Sequence, residues 1–501
     1  MEQTNQNIEA TEELKYEKDR LDQFSKMDNF DPYPHTFPIT ITFQDYINKY
    51  GSVENASRHK DLVECVAGRV LEKRNSGKKL FFYTVMSNGL TIQYLADISE
   101  YEDQSQFLND NNLIHRGDII GVRGFVGKSK KNELSIYPLK LTLLSPCYKF
   151  LPKQFYGVTD PDIRIKKRHL DMIANQKIIG TFKTRSFIIK EVRNFLDNQQ
   201  FVEVETPILS TKFGGANAKP FTTFHNALNK DMFMRIAPEL YLKRLVIGGL
   251  DRVYEIGKQF RNESIDTTHV PEFTSIEFYM AYVDYTDLML MIENLLSILV
   301  QKLHNKYQIM YDGKMIDFTP PFKKIHILDE LKKQTNTDFN FDFNSDEFEQ
   351  FLNDLCDTHS IECNSPKTVP RLLDKLIGHF IEPQCTNPTF LTNHPLVMSP
   401  LAKHDRNNNL LSERFELFVN GTELANAYTE LNNHITQEKM FKNQQKDKGN
   451  GDDEVPLPDE DFIDALRYGL PPTGGAGIGI DRLIMFLTDN TSIRDVIPFP
   501  F

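Results

Sequence analysis

The chain has 501 residues, 40% apolar and 26% charged, enough for two or three domains with real cores. Its net charge of −12 excludes binding to nucleic acid by bulk attraction, and no run approaches the roughly 18 apolar residues of a membrane span. Five scattered cysteines without a Cys-x-x-Cys pair read as buried small apolar residues rather than zinc or redox groups.

Residues 1–34 are polar, rich in Glu, Gln and Asn, and broken by Asp31-Pro32-Tyr33-Pro34. They read as a disordered, solvated extension without the features of an export signal, so a cytoplasmic location is expected. Within residues 35–150, strands are predicted at Val63 to Leu71, Leu80 to Met86 and Leu90 to Ala96, joined by Asn75-Ser76-Gly77 and Ser87-Asn88-Gly89. A helix near Ser99 to Asn109 follows, then strands at Ile119 to Lys128 and Leu134 to Leu144. Three strands, a helix and two strands is the order of an OB barrel. Residues 61–150 carry 12 Lys and Arg against 10 Asp and Glu, a mildly positive stretch suited to a polyanion. Phe81, Phe82 and Tyr83 share the second strand, so alternate rings face core and surface. A surface ring with Arg69 and Gln93 on neighbouring strands is a stacking platform for single-stranded nucleic acid.

A linker over residues 151–175 contains Pro152, Pro161 and the basic run Arg164, Lys166, Lys167 and Arg168. From Gln176 an amphipathic helix is predicted, with Ile179, Phe182, Phe187, Ile188, Val192 and Phe195 near helical spacing. The strand Phe201 to Glu205 runs into Thr206-Pro207, as an edge or interface strand does. Between Arg252 and Ala281 two strand-like runs flank a polar loop carrying Arg261, Glu263 and His269, a hairpin able to wrap a triphosphate and an adenine. Glu416 and Glu423 flank a turn at Asn420-Gly421. Residues 471–482 read Pro-Pro-Thr-Gly-Gly-Ala-Gly-Ile-Gly-Ile-Asp-Arg, in which Gly475, Gly477 and Gly479 clear one face of a strand and Arg482 opens a helix as a fixed cation. Together with the upstream hairpin this is a nucleotide platform without a P-loop.

These segments resemble the class II lysyl-tRNA synthetases of the bacterial and cytosolic eukaryotic type, which carry an N-terminal anticodon-binding OB domain; the likeness runs from about residue 61 to 501. Phe195-Leu196 through Pro207 is similar to the family's motif 1, Phe260-Arg261-Asn262-Glu263 through Phe273 and Glu277 to motif 2, and Gly475 through Arg482 to motif 3. The class I signatures His-Ile-Gly-His and Lys-Met-Ser-Lys-Ser are absent from the sequence. The resemblance implies an α+β protein, with a five-stranded OB barrel followed over residues 176–501 by a catalytic domain on an antiparallel sheet flanked by helices. The implied activity is the condensation of lysine with ATP to lysyl-adenylate and pyrophosphate, then transfer of lysine to the 3′ terminal adenosine of lysine tRNA. Mg²⁺, a homodimer and no membrane association are implied as well.

The resemblance also assigns residues. Arg261 bridges the lysine carboxylate and the α-phosphate, Arg482 grips the γ-phosphate and covers the adenine, and Phe273 is the adenine's other neighbour. Glu263 reads the adenine amino group, His269 meets the phosphate tail, Gly479 belongs to the ATP site, and Glu416 and Glu423 hold the metal. Glu239 with backbone at Gly215 takes the α-ammonium, Glu430 and Tyr279 the ε-ammonium, and Asn426 the carboxylate, with Glu277 in the same pocket. Phe82, Gln93 and Glu133, with Arg69, hold the anticodon. Aspartyl and asparaginyl relatives carry glutamine where Glu239 stands, which favours lysine over that same-class alternative. A non-catalytic interaction protein on this scaffold would be expected to lose an arginine or a metal glutamate, and a paralogue that lysylates a translation factor would lack the OB domain. Val270-Pro271 departs from the family's more usual Asn-Pro, and the N-terminal segment lacks the basic amphipathic helix of animal homologues.

Overall fold

A computed structural model of the chain describes residues 2–152, 158–449, 451–452 and 454–501. The chain divides into two compact units, Met1–Gly180 and Thr181–Phe501. The first opens with a correction, because the expected disordered extension contains a helix, α1 (Glu2–Ser25). Arg20, 2% exposed, donates to Asp118 Oδ2 at 2.8 Å and to the Leu113 carbonyl at 2.6 Å. The Tyr16 hydroxyl lies 3.1 Å from His115 Nδ1, Glu13 accepts from the Phe150 N–H at 3.1 Å, and Phe24 joins the barrel core. A polar helix is thus fastened by a few long-range contacts that composition does not reveal.

After α2 (Phe43–Tyr50), the strands β1 (Arg58–Ser76), β2 (Leu80–Ser87), β3 (Leu90–Asp97), β4 (Ile119–Lys128) and β5 (Leu134–Ser145) close into a barrel of order β1-β2-β3-β5-β4. This is the predicted five-stranded OB barrel. Its helix α3 (Phe107–Leu113) begins later than the expected Ser99, because Asp103 first turns the chain by accepting from the Ser105 N–H at 3.0 Å. Phe81, Tyr83 and Val85 point into the core, while Phe82 and Thr84 point out. The expected linker holds two short helices, α4 (Pro161–Lys166) and α5 (Arg168–Ala174), and its residues 153–157 lie outside those described.

The long helix α6 (Lys177–Asp197) contains the division between the units and buries Ile188, Val192 and Leu196 in the core of the second. The strand expected at Phe201 to Glu205 pairs only over β6 (Val202–Glu203), since Thr206-Pro207 follows and proline offers no N–H to the ladder. β7 (Leu209–Ser210), β8 (Thr222–His225) and β9 (Lys230–Met234) form a small sheet, and α7 (Glu239–Ile247) follows. The predicted hairpin is β10 (Arg252–Phe260) with β11 (Glu272–Ala281), paired from Arg252 with Met280 to Phe260 with Glu272. Then come α8 (Tyr285–His304), the hairpin β12 (Gln308–Tyr311) and β13 (Lys314–Asp317), β14 (Lys323–His326), and the helices α9 (Ile327–Thr335), α10 (Asp346–Thr358) and α11 (Val369–Phe380) with their own apolar cluster. The chain finishes the sheet with β15 (Thr389–Thr392), β16 (Arg414–Val419), β17 (Thr422–Thr429) and β18 (Thr473–Gly479), with α12 (His434–Gly449) and α13 (Glu460–Leu466) before β18 and α14 (Ile480–Thr488) after it. The resulting eight-stranded sheet has the order β14-β15-β16-β17-β18-β11-β10-β6 and is antiparallel except at its two ends. One face packs Ile276, Phe278, Ala425, Ala427, Ala476 and Ile478 against α8 and α14. The other face carries the site.

Candidate active site

Alternation along the central strands decides which side chains reach the open face. On β11, Ile276 and Phe278 go to the core, so Phe273, Ser275, Glu277 and Tyr279 face the cleft. Pairing then aligns them in rows: Glu416 with Asn426, Asn426 with Gly477, Gly477 with Glu277; and one step on, Arg414 with Tyr428, Tyr428 with Gly475, Gly475 with Tyr279. Asn420 and Gly421, at φ 47° and 70°, form the two-residue turn that sets Glu416 and Glu423 on neighbouring strands. Gly215, Glu239, Arg261, Glu263, His269, Phe273, Glu277, Tyr279, Glu416, Glu423, Asn426, Gly479 and Arg482 all line one cleft of about 410 Å³.

At the nucleotide end, the Arg261 N–H donates to the Pro271 carbonyl at 2.9 Å and closes the loop. Its guanidinium lies 5.2 Å from the centre of the Phe273 ring, with Nε buried and without a hydrogen-bond partner among the described residues. Arg482 donates to the Glu423 carbonyl at 2.7 Å and lies 2.8 Å from His269 Nε2; His269 Nδ1 in turn is 2.9 Å from Asp266. Asp481, which nothing in its local sequence singles out, accepts from the Thr274 N–H at 2.6 Å and from Arg185 at 2.5 Å. It thereby ties β11 to α14 and fixes Phe273 relative to Arg482.

Burial works against ionisation of Glu416, but Arg414, donating at 2.6 Å, and His394 at 3.2 Å outweigh it and hold the carboxyl down at about 2. Burial first, and then the Glu416 charge, push Glu423 up. Among the described residues no cluster of three or more His, Cys, Asp or Glu is arranged to hold a metal. Two carboxylate donors whose mutual repulsion a cation would relieve nonetheless fit Mg²⁺, which takes few protein ligands and completes its shell with water and phosphate.

The other end is closed and acidic. Glu239, 3% exposed, accepts the one hydrogen of the Tyr428 hydroxyl, which lies 2.7 and 2.8 Å from its two oxygens, and accepts from Lys243 at 2.5 Å. Lys243 also touches Glu430. Glu430 does not line the cleft itself; it lies directly behind Gly475, where a Cβ would come within 2.1 Å of Glu430 Oε1, so only glycine lets that carboxylate approach the surface. The Tyr279 hydroxyl donates to Glu277 at 3.2 Å, and burial together with the Glu239 charge pushes Glu277 up to about 8. Tyr428 and Lys243 were not foreseen, although Glu239-Leu240-Tyr241-Leu242-Lys243 has the i,i+4 spacing that joins acid to lysine on a helix.

On the barrel, Phe82 pairs with Leu95 and Gln93 with Thr84, all on the outer face. Gln93 donates to Glu133 at 2.7 Å and accepts from the Ser135 hydroxyl at 3.0 Å. Arg69 stands apart from this group: it pairs with Met86 and donates to the Gly117 carbonyl at 2.7 Å, whereas Arg74 is the residue opposite Phe82.

A family model described as tRNA synthetases class II (D, K and N) matches residues 160–501, and one described as an OB-fold nucleic acid binding domain matches residues 65–144. A probable cytoplasmic lysine–tRNA ligase of Vairimorpha ceranae (strain BRL01) is 47% identical over 99% of this chain and 98% of its own length. The lysine–tRNA ligase cla4 of Cladosporium cladosporioides is 43% identical over 100% of this chain and 86% of its own. A lysine–tRNA ligase of Thermotoga maritima is 42% identical over 97% and 95%. With the family model covering residues 160–501 and these relatives 42–47% identical over nearly the whole chain, the chain belongs to the class II tRNA synthetases of the D, K and N group.

Proposed function

We propose that the chain is a lysine–tRNA ligase that activates lysine with ATP and transfers it to the 3′ terminal adenosine of lysine tRNA. The observation that carries this reading is the closed acidic end of the cleft, where Glu239 and Glu277 line the wall and Glu430 lies directly behind Gly475. A substrate with an α-ammonium beside its carboxylate and a second, distant ammonium matches that arrangement of charge; aspartate and asparagine do not. The names of the full-length relatives point the same way.

Activation brings two anions together, the amino-acid carboxylate and the α-phosphate, so the site must first offset their repulsion. Arg261 serves here because a guanidinium is always charged and can donate to both partners at once. Phe273 and Arg482 bracket the adenine, Glu263 reads its amino group, and His269 and Arg482 meet the phosphates. Mg²⁺, held by Glu416 and Glu423, would supply further charge neutralisation on the phosphates. Asn426 orients the carboxylate, Glu239 with Gly215 takes the α-ammonium, and Tyr279 and Glu430 take the ε-ammonium. Phe82, Gln93 and Glu133 are the anticodon platform, with Arg74 placed better than Arg69 to track the backbone. No helix among the described residues is long and apolar enough to cross a membrane, and one relative is named cytoplasmic; we place the protein in the cytoplasm. Exposed Phe187, Val202, Ile208 and Leu209 support a homodimer whose contact face is α6 and the edge beyond β6.

The test is pyrophosphate–ATP exchange with each amino acid in turn. Lysine alone should support it; exchange with aspartate or asparagine and none with lysine would overturn the reading.

A further inference from the structure

Lys243 is 0% exposed, yet its ammonium sits between two carboxylates that belong to different elements, Glu239 at the start of α7 and Glu430 after β17. The rings of Tyr428 and Phe462, 5.7 and 5.5 Å from its Nζ, complete its surroundings. Among the described residues Glu430 has Lys243 as its close polar partner, so a buried carboxylate shares its cation with Glu239, an arrangement that stays costly until a second cation arrives. The titratable and charged groups facing this cluster are Glu239 on α7, Glu277 and Tyr279 on β11, Tyr428 and Glu430 on and after β17, and Arg414 on β16. From α13 only the Phe462 ring is turned toward it among the described contacts, and Asp459 at that helix's start is engaged by Arg244 at 3.1 Å and Lys212 at 3.7 Å.

We infer that Lys243 is a positioning and specificity-determining residue: a built-in lysine whose ammonium bridges Glu239 and Glu430, offsets their mutual repulsion and favours the charged form that an incoming substrate ammonium needs. Burial and the neighbouring acids push the Glu430 carboxyl well up even with Lys243 beside it, and without Lys243 it gives up its proton only at higher pH still. Lysine then binds only after that proton leaves, and binding improves as pH rises. The inference rests on the proposed lysine pocket.

The experiment compares the pH dependence of the lysine KM in exchange for the wild type, Lys243→Met, Lys243→Arg and Glu430→Gln. In Lys243→Met the fall of KM with rising pH should extend to higher pH than in the wild type, approaching about tenfold per pH unit, the limit for one proton, while kcat and the KM for ATP change little. Lys243→Arg keeps the charge, and its profile should coincide with that of the wild type even if KM rises uniformly. If the Met profile coincides with the wild type and only thermal stability falls, or if the Arg profile is displaced, the inference is overturned. A Met variant that does not fold leaves the Arg variant as the deciding measurement. Glu430→Gln separates the two readings: an unchanged lysine KM there means that the pocket itself is misassigned, whereas a raised KM there with an undisplaced Met profile rejects Lys243 alone.

Discussion

Arg261 brings into the cleft a guanidinium whose buried Nε has no hydrogen-bond partner among the described residues, while Arg482 is already engaged by the Glu423 carbonyl and His269. Both would meet charge that grows on phosphoryl oxygens, so Arg261→Ala and Arg482→Ala should each lower lysine-dependent exchange by about 10²-fold or more, the scale on which one preorganised donor acts. Glu277 supplies a pH test. A carboxyl whose folded value, about 8, lies above its ordinary 4.5 binds a proton preferentially in the folded state between those limits, so the ligand-free protein should lose stability as pH rises through that window. The melting midpoint should therefore fall from about pH 6 to about pH 8, and less steeply in Glu277→Gln. Glu416 acts in the opposite sense and elsewhere: held at about 2, its contribution is complete above 4.5 and is lost as pH falls toward 2. Arg261 and Arg482 stood out in the sequence as cations on a hairpin loop and after a glycine strand, whereas Glu239 was named only through the resemblance to the family. Asp481, Tyr428 and Lys243 were not singled out, because each acts by touching a residue that only folding brings near.

The elements that carry the site are the ones whose local chemistry agrees with their tertiary role. Asn420-Gly421 and the β10–β11 hairpin are written in turn residues and strand alternation, and both appear where the sequence placed them. α1 is the counterexample. Its composition is that of a solvated segment, and what docks it is an ion pair across 98 positions, Arg20 with Asp118, which no window of sequence contains. Both side chains are nearly inaccessible, at 2% and 0%, so removing one leaves the other charged and buried. Arg20→Ala should destabilise the first unit by about 3–5 kcal/mol, seen as an earlier unfolding transition by calorimetry, with exchange activity close to wild type below that transition. An unchanged transition would mean that α1 contributes nothing to the barrel's stability.

At the scale of the whole molecule the two units have separate cores, one inside the barrel and one behind the large sheet, and their chemistry divides in the same way. The exposed apolar residues on α6 and beyond β6 call for a partner surface, and sedimentation should show a dimer at micromolar concentration; an active monomer there would reject that face as an interface. The barrel's contribution can be isolated. Phe82 is turned out of the barrel core next to Gln93 and Glu133, with Arg74 opposite it, yet it also packs against Leu95, Phe125 and Tyr137 on the outer face, so it has both a packing and a stacking role to lose. Stacking of a base on such a ring is worth about 1–3 kcal/mol, roughly 5- to 150-fold in binding. Phe82→Ala should weaken charging of lysine tRNA by that factor while pyrophosphate exchange without tRNA stays near wild type, since activation uses groups of the second unit alone. Equal losses in both assays would show that Phe82 serves packing only, and that the anticodon platform lies on another face of the barrel.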